Sequence, residues 1–172
     1  MKTAVVYYSY DGSTVAVAEF LKNSLQADVF RVETQDEKKR GGLAKYIWGG
    51  RQVFTNAKPD LKPLAFNPAD YDLLIIGGPV WASSPAPALV SYLSSAKLGG
   101  KKLALFLCSK GGNKGSMDKF KALVPDSTIE GTLDLVGVKN DAESGELQLK
   151  LSDWIKKLGI APSSHPAGTG TR

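Results

Sequence analysis

Three short stretches hold most of the residues that could do chemistry. The first is Ser9-Tyr10-Asp11-Gly12-Ser13-Thr14. It sets three hydroxyls, a carboxylate and a glycine directly before a segment with helical period. Free N–H groups at a helix N-terminus carry partial positive charge and bind phosphate. Gly12 would let the backbone curl round a small anion. No Lys or Arg lies in the stretch, so dipoles would do the holding. The spacing is neither G-x-G-x-x-G nor G-x-x-x-x-G-K-[ST], which argues against a dinucleotide or a nucleoside triphosphate. A plain helix cap by Ser13 or Thr14 would use the same residues.

The second stretch is Pro79-Val80-Trp81-Ala82-Ser83-Ser84-Pro85-Ala86-Pro87. A Trp between small residues and prolines is well placed to lie flat on an aromatic ligand. Its alternative role is to pack under the next helix. The third is Cys108-Ser109-Lys110-Gly111-Gly112-Asn113-Lys114-Gly115. Its glycines permit close backbone approach to a flat ring. Cys108 ends an apolar run and reads as a small core residue, with no resolving cysteine for redox work. One Cys and one His leave no structural zinc set.

The elements that must position these stretches alternate. Thr3–Ser9, Asp72–Gly78 and Lys101–Ser109 are near-continuous apolar runs, as expected of strands buried on both faces. Val29–Val32 and Ile129–Val138 read as two more strands. Thr14–Gln26, Pro85–Ala96, Ser116–Val124 and Glu146–Leu158 have helical period. In the last, Leu147, Leu151, Trp154, Ile155 and Leu158 fall at core spacing, and Gly159 suits its C-cap. Alternation of this kind means an α/β fold with a parallel sheet and right-handed crossovers. The three stretches then fall after strands one, three and four, where ligands of doubly wound sheets bind.

The chain has 172 residues and a net charge of +5. That length suits one domain over residues 1–159, followed by a polar, disordered tail at 160–172 in which His165 is solvated. The single cysteine allows no intrachain disulfide and suits a cytoplasmic setting. No apolar run is long enough to span a membrane. The charge is concentrated: seven basic against three acidic residues between Thr34 and Ala65 give +4. This basic stretch is an insertion between strands two and three. Gly42–Phe54 has helical period within it, with Leu43, Tyr46, Ile47 and Phe54 on one face and Trp48 off it. Connections this long usually carry function or structure of their own. The insertion would lid the ligand, meet a partner, or fill a small core of its own.

The first stretch resembles the phosphate loop of the flavodoxin family: a hydroxyl residue, a variable one, Thr, Gly, a variable one, Thr. Ser9, Gly12 and Thr14 match, and Asp11 replaces the usual Thr. An outward Asp11 accepting loop N–H groups, as in an Asx-turn, would limit the cost of a carboxylate beside an anion. The Pro79-Val80-Trp81 stretch resembles the Pro-Ile/Val-Trp form of short microbial members. The resemblance covers about Lys2 to Gly159. It implies a flavodoxin-like doubly wound five-stranded parallel sheet in order 2-1-3-4-5, and flavin mononucleotide (FMN) as cofactor. Ser9, Tyr10, Asp11, Gly12, Ser13 and Thr14 would hold the phosphate. Pro79, Val80, Trp81, Ala82 and Ser83 would hold the ring together with Ser109, Lys110, Gly111 and Gly112, with Trp81 stacking on it. Lys110 near one edge of the ring would raise its potential.

Flavodoxins that act as carriers are generally acidic, and this chain is basic. The resemblance therefore implies electron transfer to or from a redox partner protein, an acidic one included, or a small acceptor such as a quinone. Other implied readings are an NAD(P)H:quinone-type enzyme, a non-catalytic flavin module and a protoporphyrinogen-type oxidase. The Asp11-Gly12 pair also resembles that last group, and peripheral membrane contact would suit the basic insertion. Nucleic acid is not expected, because no reader motif accompanies the basic segment.

Overall fold

The computed structural model describes residues 1–35, 50–55, 57–112, 115–137 and 145–160. Tyr46, Trp48, Asn113, Lys114 and the expected tail from 161 onward, with His165, lie outside the described residues. So does most of the expected helix over 42–54; residues 50–54 are helical.

The elements run β1 (Thr3–Tyr7), α1 (Ser13–Leu25), β2 (Asp28–Arg31), β3 (Leu73–Trp81), β4 (Ser84–Pro85), α2 (Pro87–Ser95), β5 (Lys102–Ser109), α3 (Ser116–Ala122), β6 (Thr128–Val136) and α4 (Gly145–Lys157). A 3₁₀ turn at Pro68–Asp70, capped by the Asn67 side chain, leads into β3. The sheet order is β2-β1-β3-β5-β6. All four neighbouring pairs on this path are parallel. β4 is a two-residue strand paired antiparallel with the end of β3. With β4 set aside, this is the expected 2-1-3-4-5 order.

Alternation along the strands divides the core. Val5, Tyr7, Leu73, Ile75, Ala104 and Phe106 face α1 and α4, meeting Val17, Leu21, Leu151 and Trp154. Ala4, Val6, Tyr8, Leu74, Ile76, Leu103 and Leu105 face the other way, onto Leu89, Tyr92 and Leu93 of α2 and Phe120 of α3. Each large apolar side chain buried this fully stabilises the fold by about 1.5–3 kcal/mol. A Cβ at Gly77 would collide with the Phe106 ring, so β3 and β5 need glycine there.

The returning leg of the insertion joins this second face. Leu61, Leu64 and Phe66 pack against it. Thr34 bridges to Leu61 in antiparallel fashion. Gln35 N–H donates to Asp60 O at 2.9 Å and Lys62 N–H to Glu33 O at 2.8 Å. Because all strands on the main path are parallel, the turns after β1, β3 and β5 open on one end of the sheet. The chain leaves β1 toward β2 and returns on its other side as β3, which makes that end a switch point.

Candidate functional site

The first turn begins at Ser9, fully buried after β1. Gly12 N–H donates to Ser9 Oγ at 3.2 Å. Gly12 stands at φ 99°, the left-handed region that glycine enters without strain, and is the N-cap of α1. No side chain caps that helix. Asp11 is tied to Ser13, accepting from its hydroxyl at 2.9 Å and, at a long 3.4 Å, from its N–H. This is the Asx-type arrangement that spares an anion the direct approach of the carboxylate. Thr14 is fully buried, and its Oγ1 has no hydrogen-bond partner. Its polar neighbour is the Cys108 thiol, in an approach that falls short of a formed bond. An orphaned buried hydroxyl costs about 1–3 kcal/mol, so this is where a bound acceptor oxygen would repay most.

The second stretch is more regular than a loop. Pro79, Val80 and Trp81 continue β3, and Ala82 and Ser83 form a tight turn into β4. Both turn residues have positive φ, 44° and 57°. This is the primed hairpin turn that usually takes Asn-Gly. With Ala and Ser it holds strain of about 1–2 kcal/mol per residue. Lys119 of α3 braces it, its Nζ donating to Ser83 O at 2.8 Å and Ser84 Oγ at 3.1 Å. Trp81 is half-buried, edge-on to Tyr8 at 6.0 Å and to Tyr10 at 5.6 Å between ring centroids.

The third stretch starts inside β5. Cys108 pairs in register with Pro79. Ser109 Oγ accepts the N–H of Gly112 at 3.1 Å, and Gly112 has φ 87°. Lys110 and Gly111 project into solvent between them. Burial pushes the Cys108 thiol up to about 12; the neighbouring Thr14 hydroxyl works against the rise and the Asp11 charge adds to it. A thiol held protonated in this way is a core side chain, not a nucleophile.

The three stretches meet. Tyr10 of the first touches Trp81 of the second. Lys110 Nζ of the third lies 3.9 Å from Asp11 Oδ2 of the first. The sequence reading missed two residues. Arg31, at the end of β2, donates from Nη2 to Ser9 O at 2.9 Å and so fixes the first turn. Its signal was topological: β2 lies beside β1, and Arg31 is in register with Tyr7. A loop free of basic residues is therefore bordered by two, Arg31 and Lys110. Lys119 is the other missed residue, reaching the hairpin from α3, a helix beyond both α2 and β5 in the chain.

A cavity of about 280 Å³ adjoins Trp81 on the side of the insertion. No helix among the described residues is long and apolar enough to cross a membrane.

The sequence model of the flavodoxin family matches residues 2–157. No curated protein sequence matches significantly. Among solved structures, a Lactobacillus acidophilus flavoprotein in complex with FMN is similar at TM-score 0.67 and 23% identity, over 77% of this chain and 92% of that one. A Bacteroides uniformis protein assigned as a flavoprotein gives 0.70 at 19%, over 90% and 97%. Two-electron reduced Megasphaera elsdenii flavodoxin gives 0.54 at 20%, over 88% and 98%. At these identities the likeness is one of fold. The match of the family model over nearly the whole chain goes further: this chain belongs to the flavodoxin family.

Proposed function

We propose that the protein binds FMN at the switch point and serves as a redox protein. The observation that carries this reading is the first turn. An uncapped helix N-terminus, a left-handed glycine and the orphaned Thr14 hydroxyl converge there, and a phosphate would satisfy all three. Ser9 Oγ already accepts from Gly12, which leaves its O–H free to donate. Thr14 Oγ1–H would donate to a second phosphate oxygen. Arg31 would keep the Ser9 carbonyl turned away from the anion while adding positive potential. The ring would lie between the Trp81 hairpin and the Ser109–Gly112 turn, with Lys110 at its rim. FMN, when bound, supplies reversible uptake of one or two electrons.

Family membership and a fold neighbour bound to FMN support this reading. The basic insertion favours an acidic protein partner or a small acceptor over the basic reductases that acidic flavodoxins meet. The one buried thiol suits a cytoplasmic setting. The test is a titration of the full-length, flavin-free protein with FMN, followed by quenching of flavin fluorescence. A stoichiometry of one with dissociation in the micromolar range or below, about −8 kcal/mol or better, is expected. A protein that takes up no FMN overturns the reading.

A further inference from the structure

We propose that the cavity between the returning leg of the insertion and Trp81 is a second small-molecule site. Its ligand would be a planar, uncharged ring compound with carbonyl oxygens on its edge. The binding claim stands on the cavity alone; its meaning as an acceptor site rests on the FMN reading above.

The volume, about 280 Å³, lies at the lower end for ligand pockets. It suits one or two fused rings and excludes a dinucleotide. Tyr8, Trp81 and Ala88 supply one wall, an aromatic and methyl surface on which a flat ring can lie. The polar part of the lining is Gln35, Gln52, Lys58 and Asp60, with Thr34. One cation and one anion cancel, so the lining favours neither anions nor cations. The glutamine amides and the ammonium group are donors suited to carbonyl oxygens. Gln35 Nε2 already donates to Leu61 O at 3.2 Å, which leaves Gln52 and Lys58 as the donors to test.

The polar wall is built before any ligand arrives. The Thr34–Leu61 bridge holds it to the chain after β2. Gln35 N–H to Asp60 O and Lys62 N–H to Glu33 O close the ladder on either side. Lys62 Nζ meets Glu33 Oε2 at 2.9 Å at its outer edge. Beyond the helical residues 50–54, Ala57 N–H turns back to Gln52 O at 2.8 Å. A preformed wall spares a ligand the cost of ordering it. Trp81 lines this cavity and also ends the strand proposed to carry the flavin, so the two sites share one indole.

The experiment uses saturation-transfer NMR on the full-length protein, with and without FMN. 1,4-Naphthoquinone is compared with naphthalene, a carbonyl-free ring system of the same shape. Naphthoquinone is expected to bind at least about tenfold more tightly in both states, the gain from two carbonyl hydrogen bonds. The double variant Gln52→Leu, Lys58→Met should erase that preference while FMN affinity stays within about twofold. Ala88→Leu, which fills the cavity without touching a polar group, should abolish binding of both rings. Equal affinity for the two probes, or naphthoquinone binding untouched in both variants, overturns the proposal. Loss of FMN binding by the unaltered protein would instead overturn the flavin reading.

Discussion

After β1, Ser9 Oγ accepts the N–H of Gly12; after β5, Ser109 Oγ accepts the N–H of Gly112. Each serine is buried, and each glycine three residues on has a positive φ, 99° and 87°. The backbone thus makes the same turn twice on the same end of the sheet. Beyond the glycine the two diverge. The first turn feeds directly into a helix of 13 residues and leaves Thr14 Oγ1 buried without a partner. The second exposes Lys110 and Gly111 to solvent, and the helix beyond it has only seven residues. The first sets two buried hydroxyls, Ser9 and Thr14, at a helix N-terminus, which suits an anion, and the second offers an exposed backbone edge suited to a ring. The middle residues have opposite charge and lie 3.9 Å apart. A turn of one geometry acquires its chemistry from what fills its middle and what helix it starts.

The comparison breaks most visibly at the glycines. Gly12→Val forces a β-branched residue to φ 99°. It should weaken FMN at least about a hundredfold and destabilise the protein by about 1–2 kcal/mol. Gly112→Val meets similar strain but should retain most of the preference for FMN over riboflavin. Paired titrations and thermal unfolding check this. Similar loss of preference in both variants would mean that the two turns are not distinct in role.

Trp81→Ala should weaken FMN and riboflavin alike by about 1–3 kcal/mol, the range for stacking on an aromatic side chain. Calorimetry on both flavins measures it, and a loss confined to FMN would speak against ring stacking. Asp11→Asn keeps the acceptor that orders Ser13 and removes the charge. FMN should then bind a few-fold, about three to ten times, more tightly at low salt, and the gain should shrink as salt rises. Riboflavin should not respond. The smallest effect is expected at the hairpin. Ser83→Gly relieves a residue at φ 57° and should raise stability by about 0.5–1 kcal/mol in urea unfolding. Both acceptors of Lys119, Ser83 O and Ser84 Oγ, survive the change, so a lower stability would mean that strain at this residue is outweighed by the freedom glycine adds to the unfolded chain.

Much of this was legible in the chain. Apolar runs alternating with helical periods set the α/β class and the parallel sheet; the strand order came with the family resemblance. Ser9, Gly12 and Thr14 were legible because a helix N-terminus needs particular residues close together in sequence. The hairpin was not. Ala82 and Ser83 lack the Asn-Gly signature of a primed turn, so Pro79–Trp81 read as loop where β3 in fact runs on to Trp81. What holds the turn comes from Lys119, far along the chain. Arg31 was missed for the same reason: its partner is Ser9 across a strand pair, and no local pattern records it. The clamp from Glu33–Gln35 to Asp60–Lys62 likewise joins two polar segments with no apolar period. Contacts set by neighbouring residues show in sequence; those set by topology show once strand order is known.

If the first turn takes a phosphate and the hairpin takes a ring, the two parts of FMN must respond separately to substitution. The ratio of FMN to riboflavin affinity reads this out, in the unaltered protein and in Thr14→Val, which removes the buried hydroxyl at nearly constant volume. A strong preference for FMN is expected, falling about tenfold or more in the variant, as for loss of a hydrogen bond to a charged group. Riboflavin affinity should stay within about twofold. Equal losses for the two flavins, or an unchanged ratio, would mean that the first turn does not hold the phosphate.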